Sequence, residues 1–134
     1  MTHLFIYGTL MPGLRLEAEM HGAHFVGAAQ VPGSLVDVGR YPGLLLDLST
    51  GEGLVTGEVY EVGDAHLARL DRVEGMVPGD RAASQYWRET VTVLSGPLQG
   101  QLVQTYVYNR PSDGCTPIPH GDYRRYIREV GRES

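Results

Sequence analysis

The chain has 134 residues, 16 acidic side chains and 11 basic ones that are all arginine, which gives a net charge of -5. This length predicts one domain over residues 1–134. The acidic balance argues against a nucleic-acid binder, and the absence of lysine excludes Schiff-base chemistry and a Walker-type phosphate loop. The single cysteine excludes an internal disulfide and a multi-cysteine metal site. We see no signal peptide and no membrane-spanning run of ~18–20 apolar residues, so we expect a cytoplasmic protein.

The first half of the chain is predicted to be mostly β-strand. Apolar runs end at glycine or proline, and one long run is interrupted by both, which indicates a bulged strand. The predicted elements are a buried strand at 3–7, a short helix at 14–21, a bulged strand at 25–38, a strand at 44–48, a turn at 50–53 and a strand at 54–62.

The second half begins with the clearest predicted helix. Asp64 is a good N-cap, the apolar residues that follow recur on one helical face, and Gly75 stands at the C-cap position. The remaining predicted elements are a loop at 76–85, a half-buried strand at 87–94, its partner at 102–109, a loop at 111–119 and a helix from Asp122 to about residue 130.

The order of these elements indicates the fold class. Strands predominate, two or three short helices lie between them, and no regular β-α alternation supports a doubly wound sheet. Glycines inside strands, such as Gly57, favour strong curvature because a tight barrel corner needs residues without a Cβ atom. We therefore expect an α+β fold, a small mixed β-barrel with short flanking helices.

The first candidate site is the segment Tyr7, Gly8, Thr9 and Leu10, directly after the first strand. Such a turn can aim consecutive backbone N–H groups into one concavity that holds a carboxylate or an oxyanion. Gly8 would permit close approach of a ligand. The alternative is a simple turn that ends the strand.

The second candidate is Glu74, at the predicted C-terminus of the helix, where the helix dipole disfavours a negative charge. This placement suggests a raised pKa, which suits a general acid or base, although a solvated carboxylate is the alternative. Asp71 lies three residues earlier on the same helix side. It could form a catalytic pair with Glu74, but we interpret it as structural, bonded to Arg72 or to the backbone.

Other side chains have weaker signals. Tyr86 and Arg88 share one face of a strand, and Arg88 could bind a substrate carboxylate or lie on the surface. The five histidines are scattered without metal-ligand spacing, so we predict no metal site and no cofactor. We interpret Cys115 as an incidental thiol, because no activating base stands near it in the sequence.

Several motifs in order resemble the gamma-glutamylcyclotransferase-like family. The resemblance covers about residues 4–109, and the segment 120–126 also resembles the ending of many bacterial members. The motifs are the strand followed by Tyr-Gly-Thr-Leu at 7–10, Tyr-Pro-Gly-Leu at 41–44, Gly-Glu-Val-Tyr at 57–60, Leu-Asp-Arg-Val-Glu-Gly at 70–75, Tyr-Trp-Arg at 86–88 and Tyr-Val-Tyr at 106–108.

The resemblance implies a small mixed β-barrel and conversion of a gamma-glutamyl amine or amino acid into 5-oxoproline and the free amine, without cofactor or metal. It implies that Tyr7, Gly8, Thr9 and Leu10 bind substrate, that Glu74 is catalytic, and that Tyr86, Arg88 and Tyr108 lie near the cavity wall. The alternative is a small-molecule-binding or regulatory module that uses the same cavity without turnover. The loop at 76–85 is our expected determinant of the leaving group. The sequence leaves the substrate and the oligomeric state open.

Overall fold

Eight β-strands dominate the fold, which is seen in a computed structural model that describes residues 1–46 and 53–131. Two α-helices flank the strands, and two short 3₁₀ helices lie at Glu17–Met20 and Arg81–Ala83. In chain order the main elements are β1 Thr2–Ile6, β2 His24–Pro32, β3 Ser34–Asp37, β4 Pro42–Leu45, β5 Leu54–Val62, α1 Asp64–Val73, β6 Tyr86–Thr92, β7 Leu102–Tyr108, β8 Thr116–Ile118 and α2 Tyr123–Val130.

Strand β7 organises the mixed sheet. It pairs with β6 in antiparallel fashion along its whole length. Its other edge is shared between two parallel neighbours: β1 pairs with the first part, at Leu4 opposite Gln104, and β4 pairs with the last part, at Leu44 opposite Val107. Strands β1 and β4 therefore follow one another along a single edge, and the chain leaves β1 at the junction between them.

The sheet curls into a half-barrel. Strands β5 and β2 continue it beyond β1, while β3 and β8 continue it beyond β4. A single antiparallel bridge between Gln30 and Ser95 connects β2 to the chain just after β6. The predicted mixed β-barrel with short flanking helices is confirmed in this form.

The core lies inside this curved sheet and beneath the two helices. Leu4, Phe5 and Val59 are buried from the strands, and Leu70 and Tyr123 are buried from α1 and α2. Removing this apolar surface from water is the main force that holds the helices on the sheet. Within the described residues, no helix is long and apolar enough to cross a membrane.

Both predicted α-helices are present. The Asp122 side chain accepts the Arg125 backbone N–H as an N-cap, and Gly131 ends α2 in the left-handed conformation, as expected. In α1, by contrast, Gly63 is the N-cap and Asp64 is the first helical residue. No side chain caps that end, so the predicted capping role of Asp64 is wrong.

Several predicted boundaries differ from the structure. The strand expected at 25–38 divides at Gly33, whose φ of 151° breaks it into β2 and β3. The helix expected at 14–21 is a 3₁₀ helix of four residues. The loop expected at 111–119 contains β8, which was not predicted because three residues carry too little periodicity. Strand β4 starts earlier than expected, and the predictions for residues 47–52 lie outside the described residues.

Candidate active site

A cavity of about 270 Å³ lies where β1 ends, between the C-terminal end of α1 and the tyrosines of β6 and β7. Residues that are far apart in the sequence therefore meet there. Its buried walls include residues 5–10, Pro42, Tyr86 and Tyr106, and its more exposed lining residues include Arg15, Leu16, Tyr41, Val73 and Gln85.

The loop after β1 offers unused hydrogen-bond donors to this cavity. The carbonyl groups of Gly8 and Thr9 accept the N–H groups of Met11 and Leu16, which fixes the loop conformation. The N–H groups of Gly8, Thr9 and Leu10 bond to no acceptor in the described part of the chain, although all three residues are buried. Buried backbone donors are rarely left unpaired, so this loop can hold a carboxylate or an oxyanion.

The Tyr7 side chain fills the junction between β1 and β4. Its hydroxyl donates to the carbonyl oxygen of Tyr106 at 2.6 Å and accepts the Leu44 N–H at 3.1 Å. One hydroxyl thus satisfies two backbone groups at the point along β7 where its neighbour changes from β1 to β4. Burial raises the pKa of Tyr7 well above its ordinary value, and the nearby Glu74 adds to the effect. Tyr7 lines the cavity, and its hydroxyl is bonded to backbone groups of β7 and β4.

Gly8 permits a close contact of the loop with Pro42. A Cβ atom at Gly8 would lie 2.6 Å from the Pro42 Cγ atom, which is too close for any side chain. The Pro42 carbonyl in turn accepts the Tyr86 hydroxyl at 2.7 Å. The requirement for glycine thus comes from the proline wall as well as from any ligand.

Glu74 occupies the C-cap of α1, in a turn of the Schellman type. The Gly75 N–H bonds to the Arg72 carbonyl at 3.0 Å, and the Met76 N–H bonds to the Asp71 carbonyl at 2.8 Å. Gly75 has a φ of 69°, the left-handed conformation that this turn requires. Because the turn is closed by backbone hydrogen bonds, the Glu74 side chain leaves it in a fixed direction, toward the cavity that it lines.

The Glu74 carboxyl group has no hydrogen-bond or ion-pair partner among residues 1–46 and 53–131. Burial within the cavity wall raises its pKa from the ordinary 4.5 to about 7. The sequence predicts a raised pKa from the helix end, whereas desolvation is the cause in the structure. A carboxyl group that is half-protonated near neutral pH can both accept and donate a proton.

Two other predicted site residues lie apart from the cavity. Arg88 forms an ion pair with Asp71, and Tyr108 packs edge to face on the Tyr86 ring with centroids 5.5 Å apart. Neither residue lines the cavity. Arg88 shares the face of Tyr86 as predicted by the strand period, but α1 covers that position and supplies the partner carboxylate.

Asp71 and Tyr106 were not predicted as site residues. Asp71 is only 7% exposed, and its carboxylate binds Arg88 and the Tyr106 hydroxyl rather than the expected Arg72 or backbone groups. Tyr106 lines the cavity and lies opposite Arg88 in the β6–β7 register. The period of two that connects Tyr106 with Tyr108 was the available signal, since both side chains belong to one strand face.

The mouth of the cavity adds residues that the sequence did not indicate. Arg15 lines it from the chain between β1 and β2, and its guanidinium donates to the Arg40 carbonyl at 3.4 Å. From the loop at 76–85, only Gln85 is a lining residue. Cys115 lies just before β8 and does not line the cavity. In the described ranges, no group of three metal-ligating side chains is placed to hold an ion.

Comparison with known proteins relates the whole chain to one family. The profile of the family described as "Gamma-glutamyl cyclotransferase, AIG2-like" matches residues 4–125. A gamma-L-glutamyl-butirosin B gamma-glutamyl cyclotransferase from Niallia circulans is 39% identical, over 94% of this chain and 78% of the relative. The gamma-glutamylcyclotransferase family protein YtfP of Escherichia coli K12 is 31% identical, over 90% and 94%. The crystal structure of an AIG2-like protein from Mus musculus superimposes with a TM-score of 0.78 at 28% identity, covering 100% of this chain and 95% of that one.

Proposed function

Because the chain belongs to the gamma-glutamyl cyclotransferase, AIG2-like family, we propose that it converts a gamma-glutamyl amine or amino acid into 5-oxoproline and the free amine. The observation that carries this proposal is the desolvated carboxyl group of Glu74, a half-buried residue with no partner among the described residues, which shares one cavity with the unused N–H groups of residues 8–10. An acid or base and an anion site are the two components that this reaction requires.

The anion site is the loop after β1. The free N–H groups of Gly8, Thr9 and Leu10 would hold the substrate α-carboxylate or the oxyanion that develops on the γ-carbonyl oxygen. One such donor typically contributes ~3 kcal/mol to transition-state stabilisation. The Tyr7 hydroxyl and Pro42 hold the loop from the other side, so its donors are fixed before substrate binds.

The reaction needs only proton transfer and correct orientation. The Glu74 carboxylate takes a proton from the substrate α-ammonium, and the neutral amine attacks the γ-carbonyl carbon to close a five-membered ring. Glu74 then gives its proton to the leaving nitrogen as the bond between that nitrogen and the γ-carbon breaks. The ring nitrogen still carries two hydrogens after the attack, and it loses the second proton to the regenerated Glu74 carboxylate. That proton passes to the departing amine, so the products are 5-oxoproline and the ammonium form of the amine. Because the attack is intramolecular, effective molarities of ~10⁵ M or more are available when the geometry is correct.

The leaving amine would lie toward the mouth of the cavity. Arg15 and Gln85 are lining residues on that side, and Arg15 forms no ion pair with any described acidic side chain. Arg15 is therefore available to an anionic group, while the neutral groups of Gln85 and Tyr41 can bond to a polar one. The name of the relative from Niallia circulans gives gamma-L-glutamyl-butirosin B as its substrate.

The test is release of 5-oxoproline from a panel of gamma-glutamyl amino acids and amines, with wild-type protein and Glu74→Gln. We expect the substitution to lower kcat by at least about 100-fold, because glutamine cannot exchange a proton. Glu89→Gln is the matched control, since Glu89 pairs with Arg81 and does not line the cavity.

Near-normal turnover by Glu74→Gln would contradict the catalytic assignment. The same experiment tests a second function, a small-molecule-binding or regulatory module, because the cavity itself is suited to small polar ligands. If the wild type binds gamma-glutamyl compounds or 5-oxoproline in calorimetry but releases no product across the panel, the binding module is correct and the cyclotransferase proposal is wrong.

A further inference from the structure

A cluster of polar side chains joins α1 to the adjacent strands β6 and β7. The Asp71 carboxylate accepts the Arg88 Nε–H at 2.8 Å and an Arg88 Nη2–H at 3.1 Å, which is the two-pronged geometry of a strong ion pair. It also accepts the Tyr106 hydroxyl at 2.6 Å. The Arg88 Nη1 group donates to the Gln104 side-chain oxygen. Two N–H groups of the Arg88 guanidinium and the Tyr106 hydroxyl thus donate to one buried carboxylate.

This cluster is connected to Glu74 on two sides. Asp71 lies one helical turn before Glu74, and its backbone carbonyl accepts the Met76 N–H that closes the turn. Tyr106 lines the same cavity as Glu74. A change in the position of Asp71 would therefore move both the turn that carries Glu74 and the tyrosine next to it.

We propose that Arg88, Asp71 and Tyr106 form a positioning cluster that holds the last turn of α1, and with it the Glu74 carboxyl group, against the cavity. This inference rests on the proposed function for its catalytic consequence. Arg88 acts through Asp71 and touches no substrate. Its role is the orientation of the general base, in place of the direct carboxylate binding that the sequence suggested.

The charge balance of the cluster bears on Glu74. With Arg88 present, the buried Asp71 carboxylate is neutralised by a cation at hydrogen-bond distance. Without Arg88, Asp71 would be an unpaired negative charge one helical turn from Glu74, and a like charge disfavours ionisation of its neighbour. Removal of the arginine should therefore raise the pKa of Glu74, and removal of both charges should restore it.

The other groups around Glu74 do not compensate for this change near neutral pH. Burial raises the pKa values of Tyr7, Tyr86 and Tyr106 well above their ordinary range, so these phenols stay neutral. Among the described residues, Arg15 is the other charged residue that lines the cavity, and the exposed Arg72 lies two residues before Glu74 on α1; an arginine stays charged at every pH in question.

The test compares Arg88→Gln, the double variant Arg88→Gln/Asp71→Asn and the control Glu89→Gln, whose ion pair belongs to the same strand. For Arg88→Gln we expect kcat to fall about 10- to 100-fold, as for other displacements of a catalytic group, with KM changed less than about twofold. The acidic limb of the kcat/KM profile should move to higher pH. In the double variant this limb should return toward its wild-type position.

A second measurement does not depend on turnover. In protein labelled at the glutamate side-chain carboxyl carbon, NMR titration should give a higher Glu74 pKa in Arg88→Gln than in the wild type. Arg88→Lys keeps the charge but loses the two-pronged geometry, so it should lower kcat and leave the titration of Glu74 unchanged. If Arg88→Gln fails to fold, Arg88→Lys and Tyr106→Phe provide the comparison, because both retain a cation beside Asp71.

The outcomes distinguish the positioning role of Arg88 from the proposed cyclotransferase activity. If Arg88→Gln and Glu89→Gln lose activity equally, or if the Glu74 titration does not move in Arg88→Gln, the positioning role is wrong. If Arg88→Lys and Tyr106→Phe are used instead, an unchanged kcat in both would overturn the positioning role. If the wild type releases no 5-oxoproline from any substrate while the Glu74 titration moves as expected, the cyclotransferase proposal fails and the coupling between Arg88 and Glu74 stands.

Discussion

The Glu74 carboxyl group is less stable as an anion than in water, because the cavity wall removes its hydration and supplies no described hydrogen-bond donor. Desolvation of this kind raises the pKa of a carboxyl group. The same property that suits the group to proton transfer therefore reduces the stability of the folded state at neutral pH. Site chemistry and stability oppose each other at this residue.

This opposition predicts how stability depends on pH. Between pH 4.5 and 7 the folded Glu74 holds a proton that the unfolded residue has released, so the free energy of unfolding decreases as pH rises through this interval. Glu74→Gln removes the effect. Relative to the wild type, the variant should gain stability between pH 4 and 8, by at most about 3 kcal/mol at about 1.4 kcal/mol per pKa unit, and by less because the open mouth admits water.

Urea denaturation at several pH values measures this difference. Glu89→Gln is the control, because the Glu89 carboxylate pairs with Arg81 and does not line the cavity, so this variant should not reproduce the pH-dependent gain of Glu74→Gln. A constant difference for Glu74→Gln across the whole interval would show that the carboxyl group is solvated in the folded protein.

At the scale of elements, the junction of β1, β4 and β7 depends on one hydroxyl. Tyr7→Phe would leave the Leu44 N–H and one bond of the Tyr106 carbonyl unsatisfied in a buried place. We expect a loss of about 2 to 4 kcal/mol in the free energy of unfolding, since an unsatisfied buried polar group costs about 1–3 kcal/mol. Tyr108→Phe is the matched control because the Tyr108 hydroxyl has no hydrogen-bond partner in the described part of the chain.

Chemical denaturation of both variants decides the point. The Tyr108→Phe change should stay within about 0.5 kcal/mol of the wild type. Equal stabilities for the two variants would mean that the Tyr7 hydroxyl does not support the junction, and that its place in the motif reflects substrate contact instead.

The elements also show what a sequence can predict here. The turn that carries Glu74 was predictable because its signals are local: apolar spacing along α1 and Gly75 directly after the C-cap. The partner of Arg88 was not predictable. It depends on which helix covers β6, and Asp71 lies 17 residues away along the chain. Strand periodicity gives the face of a side chain and leaves its depth and neighbours undetermined.

For the whole molecule, the half-barrel requires close approach of β1 and β5, and this approach determines where the cavity forms. The two strands pair along their length, with Ile6 opposite Glu58, and the loop that carries the anion site follows Ile6 directly. The glycines within strands predicted curvature from the sequence. The sequence could not predict which of these glycines is indispensable, because that depends on which atoms of other strands the fold places next to the glycine.

Among the glycines inside the described strands, Gly57 would make the closest contact with backbone if it carried a Cβ atom, and it provides a test of the architecture. A Cβ atom there would collide with the Ile6 carbonyl oxygen and would lie 2.7 Å from the Phe5 ring. Backbone cannot yield as a flexible side chain does, so β1 would have to move away from β5 and displace the loop at residues 7–10. We expect Gly57→Ala to lower the free energy of unfolding by about 3 kcal/mol or more.

Gly63→Ala is the matched control, because its Cβ atom would meet only the Met1 sulfur at 3.9 Å. That variant should stay within about 1 kcal/mol of the wild type in urea denaturation. Equal midpoints for the two variants would mean that β1 and β5 do not approach each other this closely, and the position of the loop relative to Glu74 would then need another cause.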